Sequence, residues 1–275
     1  MISPTYRERC LLAKTLAEIQ SLPDKDKIPV VIGTGAIEQH GRHLPVAVDA
    51  LLAEAFLERA VALLKSETKL LVGPPITFGK SNEHSGFPGT IIISKNTLRR
   101  QLLAIAKQLH DWGFRVLGIA NFHGGNTGVL NYTLAEIESS LGMRAELLRP
   151  AFDMDLSQQE ETYGFHAGEV ETSWMLDIWP DTVDMSQAVC EYPASIDDPG
   201  SLRPEDAPAT FAWASCDLSE SGVMGDATQA TAEKGKRWME QGIRALANEL
   251  NRLAADLSSG SIRNTYNKGF SFLPV

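Results

Sequence analysis

Cysteine is scarce, and Cys10, Cys190 and Cys216 stand far apart. That pattern fits reduced thiols rather than a disulfide framework or a thiolate zinc site. Basic clusters are missing too: no Lys/Arg run exceeds a pair and the net charge is −10, so nucleic acid and anionic membrane are not expected partners. No apolar run approaches the roughly 18 uninterrupted residues of a membrane span, and Met1 to Cys10 holds neither an apolar signal core nor a cleavage site. A cytoplasmic protein is therefore expected. Internal repeats and low-complexity segments are also lacking. What is present is ample apolar content, 43% of 275 residues, enough for the core of one large globular domain or two small ones.

Apolar strands alternate with helical patterns through the first two thirds of the chain, the order expected of an α/β fold with helices on both faces of a sheet. The pattern predicts helices over Leu11–Gln20, Leu51–Lys65, Asn96–Trp112, Asn126–Leu141 and Thr228–Leu257. Strands are predicted over Ile28–Thr34, Lys69–Val72, Arg115–Ala120 and Ala145–Leu148. From Pro180 to Gly225 prolines fall among Ser, Asp and Gly with no sustained period, which reads as a long irregular excursion. Such excursions in globular domains are commonly functional or part of an interface. The tail from Ser258 is polar and turn-rich.

Directly after the apolar run at residue 28 the chain reads Glu38-x-His40-Gly41-x-His43-Leu44-Pro45 and reaches Asp49. In extended backbone residues i and i+2 project to one side, so Glu38 and His40 can enter one cleft with Cα atoms roughly 6 to 7 Å apart. A carboxylate can bridge two ions about 3.5 to 4 Å apart, and Asp49, returned by the turn at Gly41 and Pro45, is the candidate bridge. His123, in Asn121-Phe122-His123-Gly124-Gly125-Asn126, follows another strand. Ligands collect beyond the carboxyl ends of such strands, which puts His40 and His123 on one rim. Glu38, His40, Asp49 and His123 offer oxygen and nitrogen donors suited to Zn²⁺, Mn²⁺ or Fe²⁺. His84 lies in Ser81-Asn82-Glu83-His84 and His166 opens His166-Ala167-Gly168-Glu169-Val170-Glu171-Thr172-Ser173, whereas His110 sits in a well-patterned helix and reads as a surface residue.

Neither glycine motif suits a nucleotide. Gly33-x-Gly35 follows a strand, but Glu38 holds the position of the third glycine of a dinucleotide fingerprint and would repel a pyrophosphate. Gly124-Gly125 is too short for a phosphate loop and lacks the following lysine, so its glycines are better used for close backbone approach.

Together these residues resemble the creatininase family of metal-dependent amidohydrolases, whose motifs appear here in order at 38–45, Asp49, Phe87-Pro88-Gly89-Thr90, 123–126 and 166–173. The resemblance implies a single domain over residues 1–275, a three-layer α/β sandwich with a mostly parallel sheet and helices on both faces. It also implies two divalent ions per chain, zinc first with manganese or iron as alternatives, and a homo-oligomer, often a hexamer. Carried over by position, Glu38 and His123 would hold one ion, His40 the other, and Asp49 would bridge both. Creatininase itself has a metal-binding glutamate where this chain has Gly125; Glu171 is the expected substitute, Glu169 the weaker one, and the alternative for Glu171 is to orient His166 or cap a helix.

Hydroxide shared by two ions is a nucleophile near neutral pH, and His166, outside the metal set, is the expected acid for the leaving nitrogen. Ser81 and His84 are candidate substrate contacts from a Gly-flanked loop. The expected function is hydrolysis of a non-peptide C–N bond, an amide or formamide, cyclic or open-chain. Thr162-Tyr163-Gly164-Phe165 replaces the tryptophan region that precedes the acid in creatininase, which argues against creatinine itself. The alternatives are a maturation peptidase trimming a small precursor peptide, a non-catalytic metal- or ligand-binding protein and, more distantly, a nicotinamide oxidoreductase.

Overall fold

Among the described residues, four strands rich in Val, Ile and Leu build the sheet: β1 (Val30–Thr34), β2 (Leu71–Val72), β3 (Val116–Asn121) and β4 (Arg144–Leu147), in the order β2-β1-β3-β4. Every neighbouring pair is parallel, with Thr34 beside Asn121 at the shared carboxyl end of β1 and β3. The computed structural model describes residues 4–193 and 213–259. Its helices in chain order are α1 (Pro4–Arg9), α2 (Leu16–Ser21), α3 (Val48–Ala62), α4 (Lys95–Asp111), α5 (Thr127–Leu141), α6 (Gln158–Tyr163), α7 (Glu169–Ile178), α8 (Ser215–Leu218) and α9 (Ala232–Ser259). An antiparallel ribbon of β5 (Cys190–Glu191) and β6 (Gly225–Asp226) stands apart from the sheet.

The strands are buried on both faces because successive side chains point to opposite sides and each side is covered by helices. Val30, Ile32, Leu117 and Ile119 pack with Leu98 and Leu102 of α4 and Leu130 and Ile137 of α5. Val31, Val116 and Ala120 face the other layer, where Phe56 of α3, Trp174 of α7 and Trp238 and Leu250 of α9 form the second core. The sequence-based α/β class with helices on both faces is thus the observed one. Among the described residues, no helix is long and apolar enough to cross a membrane.

The structure departs from the sequence reading at several boundaries. The helix expected over residues 11–20 is a 3₁₀ turn at Leu11–Ala13 followed by α2. Thr15 causes the break: its hydroxyl accepts from the Glu18 N–H while the Glu18 carboxylate takes the Thr15 N–H at 2.6 Å, a capping box that starts a new helix. The helix expected from Leu51 begins instead at Val48, which moves Asp49 into its first turn. Gly35 permits this, since a Cβ there would lie 2.7 Å from Ala50 N and Asp49 C. Apolar periodicity assigned no element to residues 149–179, where α6 and α7 lie. The excursion from residue 180 contains short 3₁₀ turns, β5 and α8, and its residues 194–212 lie outside the described ones. The expected tail start at Ser258 falls in the last turn of α9, and residues 260–275 are likewise outside.

Candidate metal centre

Beyond the carboxyl ends of β1 and β3 the chain carries Glu38 and His40 on one loop and His123 on the other, with Asp49 brought to them by the first turn of α3. Glu38, His40 and Asp49 are 1%, 0% and 1% exposed. Burying so many ionisable groups together is costly unless cations or hydrogen bonds compensate.

Backbone carbonyls settle the histidine tautomers, because a carbonyl oxygen only accepts. His40 Nδ1 donates to Glu38 O at 3.1 Å, which leaves Nε2 bare, 3.0 Å from Asp49 Oδ1 and 3.7 Å from Glu171 Oε1. His123 Nε2 donates to Lys80 O at 3.2 Å, which leaves Nδ1 bare, 3.1 Å from Asp49 Oδ2 and 3.2 Å from Glu38 Oε1. Each oxygen of Asp49 therefore faces a different imidazole lone pair, and a further carboxylate stands beside each. His40 Nε2, Asp49 Oδ2 and Glu38 Oε2 are buried and make no hydrogen bond among the described residues. Lone pairs converging at ligand distance without hydrogen-bond geometry are what a bound cation resolves.

Electrostatics without an ion run the same way. Burial disfavours the charged form of His40, yet Glu171 and Asp49 outweigh it and raise its pKa well above the ordinary value. His123 behaves alike, burial being overcome by Glu38 and Asp49. Asp49 is lowered despite burial, chiefly by His40, whereas burial raises Glu38. Without an ion these carboxylates favour the protonated rings, and the bare Nε2 of His40 and Nδ1 of His123 are those of the neutral rings that a cation would meet.

Helix α7 supplies the remaining carboxylate. Ala167 N–H donates to Glu171 Oε2 at 2.5 Å while Oε1 faces His40, so Glu171 fixes the turn that leads into its helix and reaches the cluster at once. Glu169, the weaker alternative, pairs instead with Lys234 of α9. Ala167 itself adopts φ +54, a conformation that L-residues adopt at a cost, between His166 and the start of α7. His166 donates from Nε2 to Gln39 O at 2.7 Å, and its bare Nδ1 lies 3.9 Å from Glu38 Oε1. Burial, then His40, lower its pKa to about 4.

Ser81 and His84 are both buried. Ser81 Oγ lies 3.4 Å from His123 Nε2, and His84 Nε2 lies 3.2 Å from Glu38 Oε1. Burial, then His166, push the His84 pKa well below its ordinary value. His43 is bonded through Nε2 to Thr172 Oγ1 at 2.8 Å, tying the first loop to α7 outside the cluster. His110 is on α4, 3.7 Å from Asp111 and away from the site.

Sequence reasoning passed over Glu83. Lys80 Nζ holds its Oε2 at 2.9 Å and its Oε1 lies 3.5 Å from His123 Nε2. A Cβ on Gly125 would stand 1.9 Å from that Oε1. The space next to Gly125 is thus filled by a carboxylate from the Ser81–His84 loop. Gln39 and Ser215, both bonded to His84, were also missed; only Gln39's place between two ligands could have signalled it.

A parallel sheet with a buried rim of imidazoles and carboxylates beyond its carboxyl end belongs here to a hydrolase acting on carbon–nitrogen bonds. The chain belongs to the creatininase family, whose model, described as creatinine amidohydrolase, matches residues 13–250. It is 31% identical over 229 residues to a mycofactocin precursor peptide peptidase of Mycolicibacterium smegmatis (strain ATCC 700084 / mc(2)155), covering 82% of this chain and 86% of that protein. To a creatinine amidohydrolase of Pseudomonas putida it is 29% identical, covering 80% of this chain and 88% of that one. Among solved structures, a mutant creatininase of Zn–Zn type superposes with a TM-score of 0.71 at 24% identity, covering 88% of this chain and 97% of that one.

Proposed function

We propose that the chain hydrolyses the C–N bond of a small amide or formamide, cyclic or open-chain and not a peptide, at a centre for two divalent ions. The observation that carries this reading is Asp49, whose two oxygens face two bare imidazole nitrogens at 3.0 and 3.1 Å. Glu38, Asp49 and His123 would hold one ion, and His40, Asp49 and Glu171 the other. Zinc suits this nitrogen and oxygen donor set, with manganese or iron as alternatives. The chemistry such ions supply is a water with a pKa near about 7 and a polarised carbonyl.

The protein's own part is proton handling and exclusion of water. His166 is neutral at rest, with Nε2 anchored on Gln39 O and Nδ1 open to the cluster. It takes up a proton at Nδ1 and delivers it to the leaving nitrogen, which departs poorly unprotonated. Ser81 and His84 line the His123 and Glu38 side of the cleft, where their first partners are those ligands and contact with substrate comes second.

A second reading, hydrolysis of a peptide amide in a small precursor, is favoured by the 31% identity to the mycobacterial peptidase. Both readings are tested by metal content and a mass-spectrometric screen of cyclic amides, formamides and short peptides. Close to two ions per chain and turnover of non-peptide amides is the expected result. Turnover of peptides alone selects the second reading, and one ion or none in native protein overturns the two-ion centre.

A further inference from the structure

We propose that Gln39, between Glu38 and His40, is a positioning residue that fixes the tautomer of His84 and so keeps that histidine out of the metal set. The proposal rests on the two-ion reading only in taking Glu38 as a ligand.

The number of available donors fixes the proton on each ring. Gln39 is buried, and its Oε1 accepts the Gly41 N–H at 2.9 Å, which fixes the orientation of the amide. Of the two hydrogens on Nε2, one goes to Gly222 O at 3.0 Å. Two ring nitrogens compete for the other: His84 Nδ1 at 2.9 Å and His166 Nε2 at 3.2 Å. His166 Nε2 already carries a proton, because it lies 2.7 Å from Gln39 O, and cannot accept. His84 Nδ1 is therefore the acceptor, its lone pair met by the Gln39 N–H, and Ser215 Oγ is its other polar neighbour at 3.0 Å. A neutral imidazole with a bare Nδ1 carries its hydrogen on Nε2, and here that hydrogen points at Glu38 Oε1, 3.2 Å away.

The consequence lies in the arrangement of Glu38, His84 and His166, which offer one ligand atom each within 4.8 Å of one another, all buried. With both nitrogens bare, this O, N, N set would accept zinc. An ion there would occupy the His166 nitrogen that the proposed reaction needs. The Nε2 proton of His84 closes that position, and the same proton holds Glu38 toward Asp49 and His123. Outer partners of this kind fix the tautomer and orientation of groups at metal centres.

Ring-nitrogen NMR on the zinc-loaded full-length protein reads the tautomer directly, with the His84 signals assigned by their loss in His84→Gln. A protonated Nε2 and bare Nδ1 are expected; the reverse pattern overturns the proposal without need of a Gln39 variant. Gln39→Glu replaces the Nε2 donor by an acceptor, which calls the proton to His84 Nδ1 and bares Nε2. Equilibrium dialysis at excess zinc should then find one more ion per chain than in the wild type, and the wild-type number again in Gln39→Glu/His84→Gln. Equal uptake by folded Gln39→Glu and wild type overturns it. Fewer than two ions in the wild type would instead count against the two-ion reading, since the tautomer is measured independently of that number.

Discussion

At the scale of single residues, the site is decided by lone pairs more than by distances. Asp49 faces both histidines, so Asp49→Ala should leave less than one zinc per chain after gel filtration, measured by atomic emission; retention of two ions would remove the bridge. His166 touches no more than the edge of the carboxylate set, and His166→Ala should lower kcat about 10²- to 10⁴-fold while keeping its metal. A variant that lost both together would place His166 among the ligands. Gly125 gives a third case. A Cβ there would meet Glu83 Oε1 at 1.9 Å and His123 Nε2 and Lys80 O at 2.5 Å, so Gly125→Ala must push the His123 ring or the loop beneath it. Zinc affinity about 10- to 100-fold weaker, by competition with a chromogenic chelator, is the expected outcome. Glu38, His40, Asp49 and His123 were legible as donor types at strand ends; the carboxylate filling the space at Gly125 was not, because Glu83 arrives from a loop some forty residues earlier in the sequence.

At the scale of elements, strand periodicity translated directly into layers. Val30 and Ile32 face one core and Val31 the other, which alternation alone predicts. Helix α7 was not legible, since its residues from Glu169 to Met175 are all buried and show no exposed stripe to set a period. Its placement depends on Glu160 of α6, a buried carboxylate that accepts from Glu169 N and Asp226 N at 2.9 Å and from Tyr192 Oη at 2.8 Å. Glu160→Ala strands two backbone donors, each costing about 1–3 kcal/mol when buried. Urea unfolding should show a loss of at least about 2 kcal/mol, and because α7 carries Glu171, weaker zinc binding should accompany it. An unchanged midpoint would mean that water replaces the carboxylate without cost.

At the scale of the whole molecule, the buried histidines make the metal-free protein most stable near pH 6.5. Folded His43 and His166 are pushed by burial, then by His40, from 6.5 to about 4. Between those values the unfolded chain binds more protons, so stability falls as pH drops from 6.5 toward 4. Glu38 and Glu160, raised by burial, work in the opposite direction there, but His84, pushed well below its ordinary value by burial and then His166, acts with His43 and His166. His40 and His123 are raised well above 6.5, so the stability they contribute is present below that value and is lost as pH rises through their folded pKa. Urea midpoints of metal-free protein from pH 4.5 to 9 should trace this dome, and zinc should lift its alkaline side by replacing the protons on His40 and His123; a monotonic profile would contradict it. By itself the sequence determined the alternating layers, the family and the donor types, because these follow from local periodicity and short motifs. The tertiary structure alone decided that Glu171 and not Glu169 reaches His40, which oxygen of Asp49 meets which ring, and that His84 presents a proton to Glu38. Those choices hang on contacts such as that of Gln39 O with His166, 127 residues apart, and no local pattern encodes the angle at which two distant loops meet.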